Sequence, residues 1–273
     1  MKFPTQALAS FNQAEIAIHR VCQLLALTGV NLVAKKADDS HTNLGWDANR
    51  SAVIGRYFLL NNQTMRFIFL LKERELCFET DSGQLVASIS LDYSDHESLM
   101  MWWKMQLQEL GVKNPLIDQL HYDLPDSSTY QTVEIEAFDE YLPVWMALRT
   151  QANQVFESLN ERKQIDSEIR IWPHHFDTGV YYPIKGEVQA IGAGMAIADS
   201  IQPEPYYYLY GWAKDAEIDL SNVPDLEKGK CLNGDWKGLI LPVSQLASLT
   251  TTKQVDEFLS IAFDFLKSRL ASL

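Results

Sequence analysis

Positive charge is scarce in this chain: 23 Lys and Arg stand against 36 Asp and Glu over 273 residues, a formal net charge of -13. A surface of that sign repels phosphate backbones and anionic headgroups, so neither nucleic acid nor a membrane surface is an expected partner. Cysteine is sparse too. Cys22, Cys77 and Cys231 lie far apart with no C-x-x-C spacing, and an odd count makes a poor disulfide framework, which predicts free thiols in a reducing compartment. Nowhere do about 18 uncharged apolar residues follow one another, and the opening MKFPTQALASFNQAEI lacks the apolar run of a signal peptide. These absences predict a soluble, cytoplasmic protein.

Chemical signatures are missing as well. The sequence has no G-x-G-x-x-G between strand and helix, no phosphate-binding P-loop, no G-x-S-x-G and no zinc-finger spacing. Nucleotide and acyl-transfer readings lose their usual support. The cofactor is therefore unknown, and whether the chain is an enzyme is left open.

What is present is a strong hydrophobic pattern, with 47% hydrophobic residues, enough for a sizeable core. A helix is expected from about Gln13 to Thr28, capped by Asn12 with Glu15 and ended by Gly29. His19 falls on it, as a packing or surface residue. The polar stretch 35–50, with His41 and Trp46, reads as a surface loop whose tryptophan can wall a pocket. Period-two alternation then predicts four strands, Val53–Leu60, Met65–Leu71, Glu75–Glu79 and Leu85–Tyr93, joined as hairpins. A capping box at Ser94 and Glu97 opens a helix buried through Leu99, Trp103, Leu107 and Leu110, with His96 solvated in its first turn. Residues 114–130, including His121, read as a connection.

The second half opens on the longest helical stripe, Phe138, Tyr141, Trp145, Leu148, Ala152, Val155 and Leu159, with Pro143 in its first turn. Strands follow, then turns over Lys214–Asp235, a short strand at Gly238–Pro242 and a helix over Lys253–Leu270 capped by Thr251 and Gln254. The expected fold is α+β, an antiparallel sheet packed by helices, with two similar helix, four-strand, helix halves. The chain reads as a single globular unit over 1–273, with pseudo-repeat halves 1–113 and 131–273 joined by 114–130.

Two runs stand out: Ile171-Trp172-Pro173-His174-His175-Phe176-Asp177 and Pro203-Glu204-Pro205-Tyr206-Tyr207-Tyr208-Leu209-Tyr210-Gly211-Trp212, with small residues over Ala190–Ala198 between them. Together with Asn153 to Glu157, they resemble an uncharacterised bacterial family of unknown function, carrying a W-x-x-x-F-D segment and a later P-E-P-aromatic run. That resemblance implies membership and no activity.

Read as extended chain, the first run sends Trp172, His174 and Phe176 to one face and His175 and Asp177 to the other. His175, Asp177 and a second carboxylate, Asp199 or Glu204, would make a weak metal set. The same residues also suit a buried polar cluster in which Asp177 accepts from backbone or tyrosine hydroxyls and the histidine is a satisfied donor. On a strand, Tyr206, Tyr208, Tyr210 and Trp212 share a face that fits a sugar or a flat organic ligand, and equally a core. Gly192 and Gly194 leave room for close approach, by a ligand or by those rings.

Three functions follow as expectations. The first is a small-molecule-binding protein with an aromatic-walled cleft shared by Trp172–Asp177 and Tyr206–Trp212, its ligand-binding candidates being Trp172, His174, His175, Asp177, Glu204, Tyr206 and Tyr208. The alternatives are a metal-assisted hydrolase using His175 and Asp177, and a protein-interaction scaffold. Oligomeric state is not legible.

Overall fold

The computed structural model describes residues 1–92, 95–113, 115–124, 136–186 and 188–273, with backbone alone for 136–138. Among the described residues there are four α-helices and two six-stranded antiparallel sheets, so the α+β class holds. The chain divides into two compact units: the first is 13–146 with 171–176, the second 1–12 with 147–170 and 177–273.

In the first unit, helix α1 (Leu8–Leu32) begins four residues before Asn12, so the expected cap lies inside the helix. It also runs on through Gly29. That glycine permits close approach instead of ending the helix: a Cβ there would stand 2.5 Å from the His41 carbonyl. The stretch read as a surface loop is correspondingly packed, with Ser40, His41, Thr42 and Asn43 all buried. It holds a short strand, β1 (Gly45–Asp47), that alternation over three residues does not reveal.

Next come β2 (Ala52–Ile54), β3 (Phe58–Leu60), β4 (Gln63–Leu70), β5 (Glu75–Thr80) and β6 (Leu85–Ser90). The sheet order is β1-β2-β4-β5-β6, with β3 also paired to β4. The single strand expected at Val53–Leu60 is thus two: β2 pairs with β4 as far as Ile54, the Gly55 backbone N–H still donates to the Phe67 carbonyl at 2.9 Å, and pairing with β4 resumes at Phe58. Helix α2 (His96–Glu109) is capped by Asp95, which accepts from the Ser98 backbone N–H at 2.7 Å. Ser94 and Tyr93 lie outside the described residues. Trp102 of α2 covers the stacked pair Phe67 and Phe78, whose centroids are 4.2 Å apart, and the Trp103 indole donates to Thr28 of α1 at 2.9 Å.

Helix α3 (Glu136–Lys163) starts seven residues before Pro143, which therefore sits inside it and not in its first turn. The stripe from Tyr141 to Leu159 is buried as expected; the Phe138 side chain lies outside the described residues.

In the second unit, the sheet combines β8 (Asp177–Pro183), β9 (Gln189–Ala196), β10 (Tyr206–Ala213), β11 (Lys230–Asn233) and β12 (Lys237–Pro242), in order β11-β12-β10-β9-β8. Its edge strand β7 (Arg170–Trp172) contributes Arg170 to this unit. The turn-rich prediction for Lys214–Asp235 missed β11, a four-residue edge strand with little hydrophobic signal. Helix α4 (Lys253–Leu270) has the expected bounds, but no side-chain cap: Gln254 instead accepts from the Ala247 backbone N–H at 2.8 Å. Its Phe263 meets Tyr182 of β8 edge-on at 5.3 Å.

None of Cys22, Cys77 and Cys231 is in a disulfide. No helix among the described residues is long and apolar enough to cross a membrane.

Candidate functional site

Residues Trp172, His174 and His175 fall in the first unit, and Asp177, Glu204, Tyr206 and Tyr208 in the second. Each set has its own local logic.

The first set is a turn, which corrects the extended reading. Strand β7 ends at Trp172, and the Phe176 backbone N–H returns to the Trp172 carbonyl at 2.7 Å, closing Pro173–Phe176 into four residues of turn. Alternation does not operate there, so the two histidines are not sent to opposite faces; their ring centroids are 4.4 Å apart. Phe176 holds φ 56, a left-handed conformation that costs a residue with a Cβ about 1–2 kcal/mol. Burial offsets this. The ring is fully buried, stacked on His19 at 4.5 Å and 12° and on Trp145 at 5.9 Å and 22°.

His19 is the residue that sequence reasoning undervalued. Its Nε2 lies 2.6 Å from the Pro173 carbonyl, so Nε2 carries the proton, and the Gln23 amide donates to the same oxygen at 3.0 Å. Tyr122 donates to Gln23 at 2.8 Å and its ring lies 5.8 Å from that of His174. The available signal was the i, i+4 spacing of His19 and Gln23, which puts both on one helix face. His121, read without a partner, lies 3.3 Å from Asp39.

The second set is built on glycine. In the register of the sheet, Tyr208 stands opposite Gly194 and Tyr210 opposite Gly192, while Gly194 is in turn opposite Gly179. A Cβ at Gly194 would fall 2.5 Å from the Tyr208 hydroxyl oxygen, and one at Gly192 2.5 Å from Cζ of Tyr210. Both rings therefore lie over β9 instead of standing away from the sheet. Trp236, just before β12, likewise covers Gly238 of that strand, where a Cβ would be 2.9 Å from Cζ3. Tyr208 and Tyr210 are nearly parallel, 23° between planes with centroids 6.2 Å apart.

Polar ends of these rings are tied down. Tyr208 reaches across Gly194 and donates to Oδ2 of Asp177, a carboxylate only 7% exposed. Tyr206 donates to Asp199 at 2.8 Å. Burial raises both phenols far above their ordinary value, and the neighbouring carboxylates, Asp177 for Tyr208 and Asp199 for Tyr206, raise them further. Glu204 accepts from the Ser244 backbone N–H and hydroxyl, each at 2.8 Å, so its carboxylate clamps the start of β10 to the turn Val243–Gln245.

The opposite face of this sheet is core: Tyr182, Tyr207, Leu209, Leu239 and Leu241 are fully buried. Tyr207 ends on Gln151 of α3, and the fully buried Arg149 donates to Thr178 at 2.9 Å. The tyrosine face is partly core too, with Ala196, Tyr206 and Ile240 buried and Tyr208 and Trp236 packed against them, and it ends in exposed aromatics, Tyr181 at 45% and Trp212 at 41%. Tyr181 and Trp236 were not picked out from sequence. Their signal is indirect, since a ring is expected where paired strands place a glycine beneath it.

Among the described residues, no group of three or more His, Cys, Asp or Glu side chains is placed to hold a metal ion. Compared with protein-family models, curated proteins and solved structures, the chain has no match.

Proposed function

We propose that this protein binds a small organic molecule by stacking it on the aromatic face of the second sheet, over Tyr210 and beside Tyr181 and Trp212. A single observation carries the reading: Tyr208, Tyr210 and Trp236 are laid over glycines. A ring held flat on its own sheet directs its π-face outward, and a flat or ring-shaped ligand buries its apolar area against that face at little cost in side-chain entropy. An antiparallel sheet whose second face serves only solvation carries polar residues there. Here that face carries Tyr181, Tyr210 and Trp212, two of them exposed.

Asp177 acts in this reading as a positioning residue. It accepts the Tyr208 hydroxyl, and Tyr208 lies beside Tyr210. Glu204, held by Ser244, fixes where β10 begins. The test is a ligand-observed NMR screen with methyl glucoside, indole and choline as probes, on the full chain and on Tyr210→Ala. Binding of at least one probe that weakens tenfold or more in the variant is expected. If no probe binds, or if the loss of the ring leaves affinity unchanged, stacking on this face is refuted.

A further inference from the structure

We infer that this protein forms a homodimer, β6 of one copy pairing antiparallel with β6 of a second so that two first-unit sheets join edge to edge. A comparison of the four strands that end the two sheets points there. β1 carries Asp47, β7 carries Arg170 and β11 carries Lys230, and none exceeds four residues. Short, charged edge strands discourage pairing with another chain. β6 lacks both safeguards: it runs for six residues, Leu85 to Ser90, without a charge. Among the described residues no strand pairs with its outer side. β3, paired only with β4, is three residues long and offers half that length.

The edge is open to a partner strand. Leu85 is 58% exposed, Val86 38%, and Ser88 is exposed as well. The Leu91 backbone N–H returns to the Arg74 carbonyl at 2.8 Å, and residues 87–90 stay in regular register with 75–78 of β5. Backbone groups alternate in direction along a strand, so those of Ser88 and Ser90 point away from β5. The register shift between Phe78 and Glu79 lies outside this stretch, toward Leu85.

The sequence of the edge selects a second copy as its occupant. Ala-Ser-Ile-Ser-Leu, residues 87–91, has the same order of apolar and polar residues in both directions. A two-fold axis at Ile89 therefore sets Ser88 and Ser90 of each strand against Ser90 and Ser88 of the other, and apolar residues against apolar, as a self-complementary interface requires. Charge points the same way. Two copies, each at -13, repel over most of their surfaces, and contact is least opposed along a strand that carries no charge. The first acid past it, Asp92, is paired with Arg74 at 3.3 Å.

Sedimentation velocity of the full chain over a range of concentrations and salt tests this. A species of twice the chain mass is expected, and its association should strengthen as salt screens the repulsion between copies. Ser88→Lys supplies the missing edge charge and should weaken association at least tenfold, while Leu59→Lys, an exposed change on β3, should leave it unaltered. Ile89→Cys brings a thiol beside that of the second copy, because opposed residues that exchange no hydrogen bonds stand close, and air oxidation should give a covalent dimer that wild type does not. This cysteine variant keeps the test decisive if the lysine unfolds the sheet. Monomer at every concentration and salt, a dimer indifferent to a folded Ser88→Lys, or failure of Ile89→Cys to crosslink overturns the pairing and leaves the edge to a strand of another protein.

Discussion

The two sheets solve the same packing problem in opposite ways. In the first, each central strand brings its own bulk: Phe67, Ile68 and Phe69 on β4 and Leu76, Cys77 and Phe78 on β5 are all buried. In the second, the central strand β9 is Gln-Ala-Ile-Gly-Ala-Gly-Met-Ala, buried along its whole length, and one of its faces is filled by rings that belong to β10. A strand that carries bulk is specified by its own side chains. A strand that borrows bulk is specified by its neighbour, and the register between them becomes the information. Sliding β10 by one residue against β9 would set Tyr208 and Tyr210 against residues with a Cβ and send Tyr207 to the wrong face.

This difference predicts opposite mutational responses, and the largest is on the first sheet. Phe78→Ala removes a fully buried ring stacked on Phe67 and should cost about 4 kcal/mol in urea unfolding, the range for large-to-small core changes. A cost below about 1 kcal/mol would show that the first sheet also depends on borrowed packing.

On the second sheet, addition should do what deletion does on the first. Gly194→Val places a Cβ where the Tyr208 hydroxyl passes, displaces the ring and leaves the Asp177 carboxylate without its donor. Overpacking plus a lost buried hydrogen bond should together cost about 3 kcal/mol. The diagnostic is a double-mutant cycle: in a Tyr208→Ala background the same valine should cost less than half as much, because the atoms it strikes are gone. Equal costs in both backgrounds would mean that the glycine serves the backbone and not the ring.

The contrast also explains what was legible in the sequence. Strands β4 and β5 and the stripe of α3 were readable within a residue or two, because burial leaves a hydrophobic pattern in such segments; β6 was readable at its start but ends at Ser90, three residues before the expected Tyr93. The faces of β10 were readable for the same reason. Segments whose form is set by distant partners were not. Gly29 looked like a helix end because its contact, the His41 carbonyl, lies twelve residues on. Trp172–Asp177 looked extended because its aromatic and polar residues alternate, whereas the chain turns at Pro173 and its carbonyl is held by His19 and Gln23 from α1. Tyr181 carries no local mark of its place beside Tyr210; only the pairing of β8 with β9 supplies it.

Polar burial marks a second, smaller difference between the sheets. In the first, Glu79 is nearly buried and takes a bidentate pair of hydrogen bonds from Arg50, each 2.7 Å, and one from Arg66 at 2.8 Å. Burial alone would raise this carboxyl; the two guanidiniums outweigh it and hold it below the usual carboxylate range. In the second sheet the buried carboxylate Asp177 is met by a tyrosine instead. Glu79→Gln should therefore cost about 2 kcal/mol at pH 7, less than the ~3–5 of wholly buried pairs because Arg50 is 36% exposed. The sign with pH follows from the lowered value. Glu79 contributes stability above its unfolded-state value, near pH 4, and loses it as pH falls through the folded one. Urea unfolding at pH 7 and at pH 3 should show the gap between wild type and variant narrowing at the lower pH. A gap that widens on acidification would contradict the ion-pair account.

Phe176 combines what the two sheets keep apart, since it supplies a buried ring and also adopts the φ of 56 that favours glycine. The two contributions can be separated by replacing it twice. Phe176→Ala removes the ring contacts with His19 and Trp145 and keeps the strained backbone; Phe176→Gly removes the same contacts and relieves the strain. Both variants should be less stable than wild type, since lost burial exceeds about 1–2 kcal/mol of left-handed strain. Between them the usual order should reverse, with the glycine variant about 1 kcal/mol more stable than the alanine variant, although glycine is ordinarily the costlier residue to fix. Urea midpoints of the two proteins measure this directly. An alanine variant that matches or exceeds the glycine variant would show that the turn relaxes once the ring is gone, and that the ring's stacking on His19 and Trp145, and not the turn, sets the conformation at Phe176.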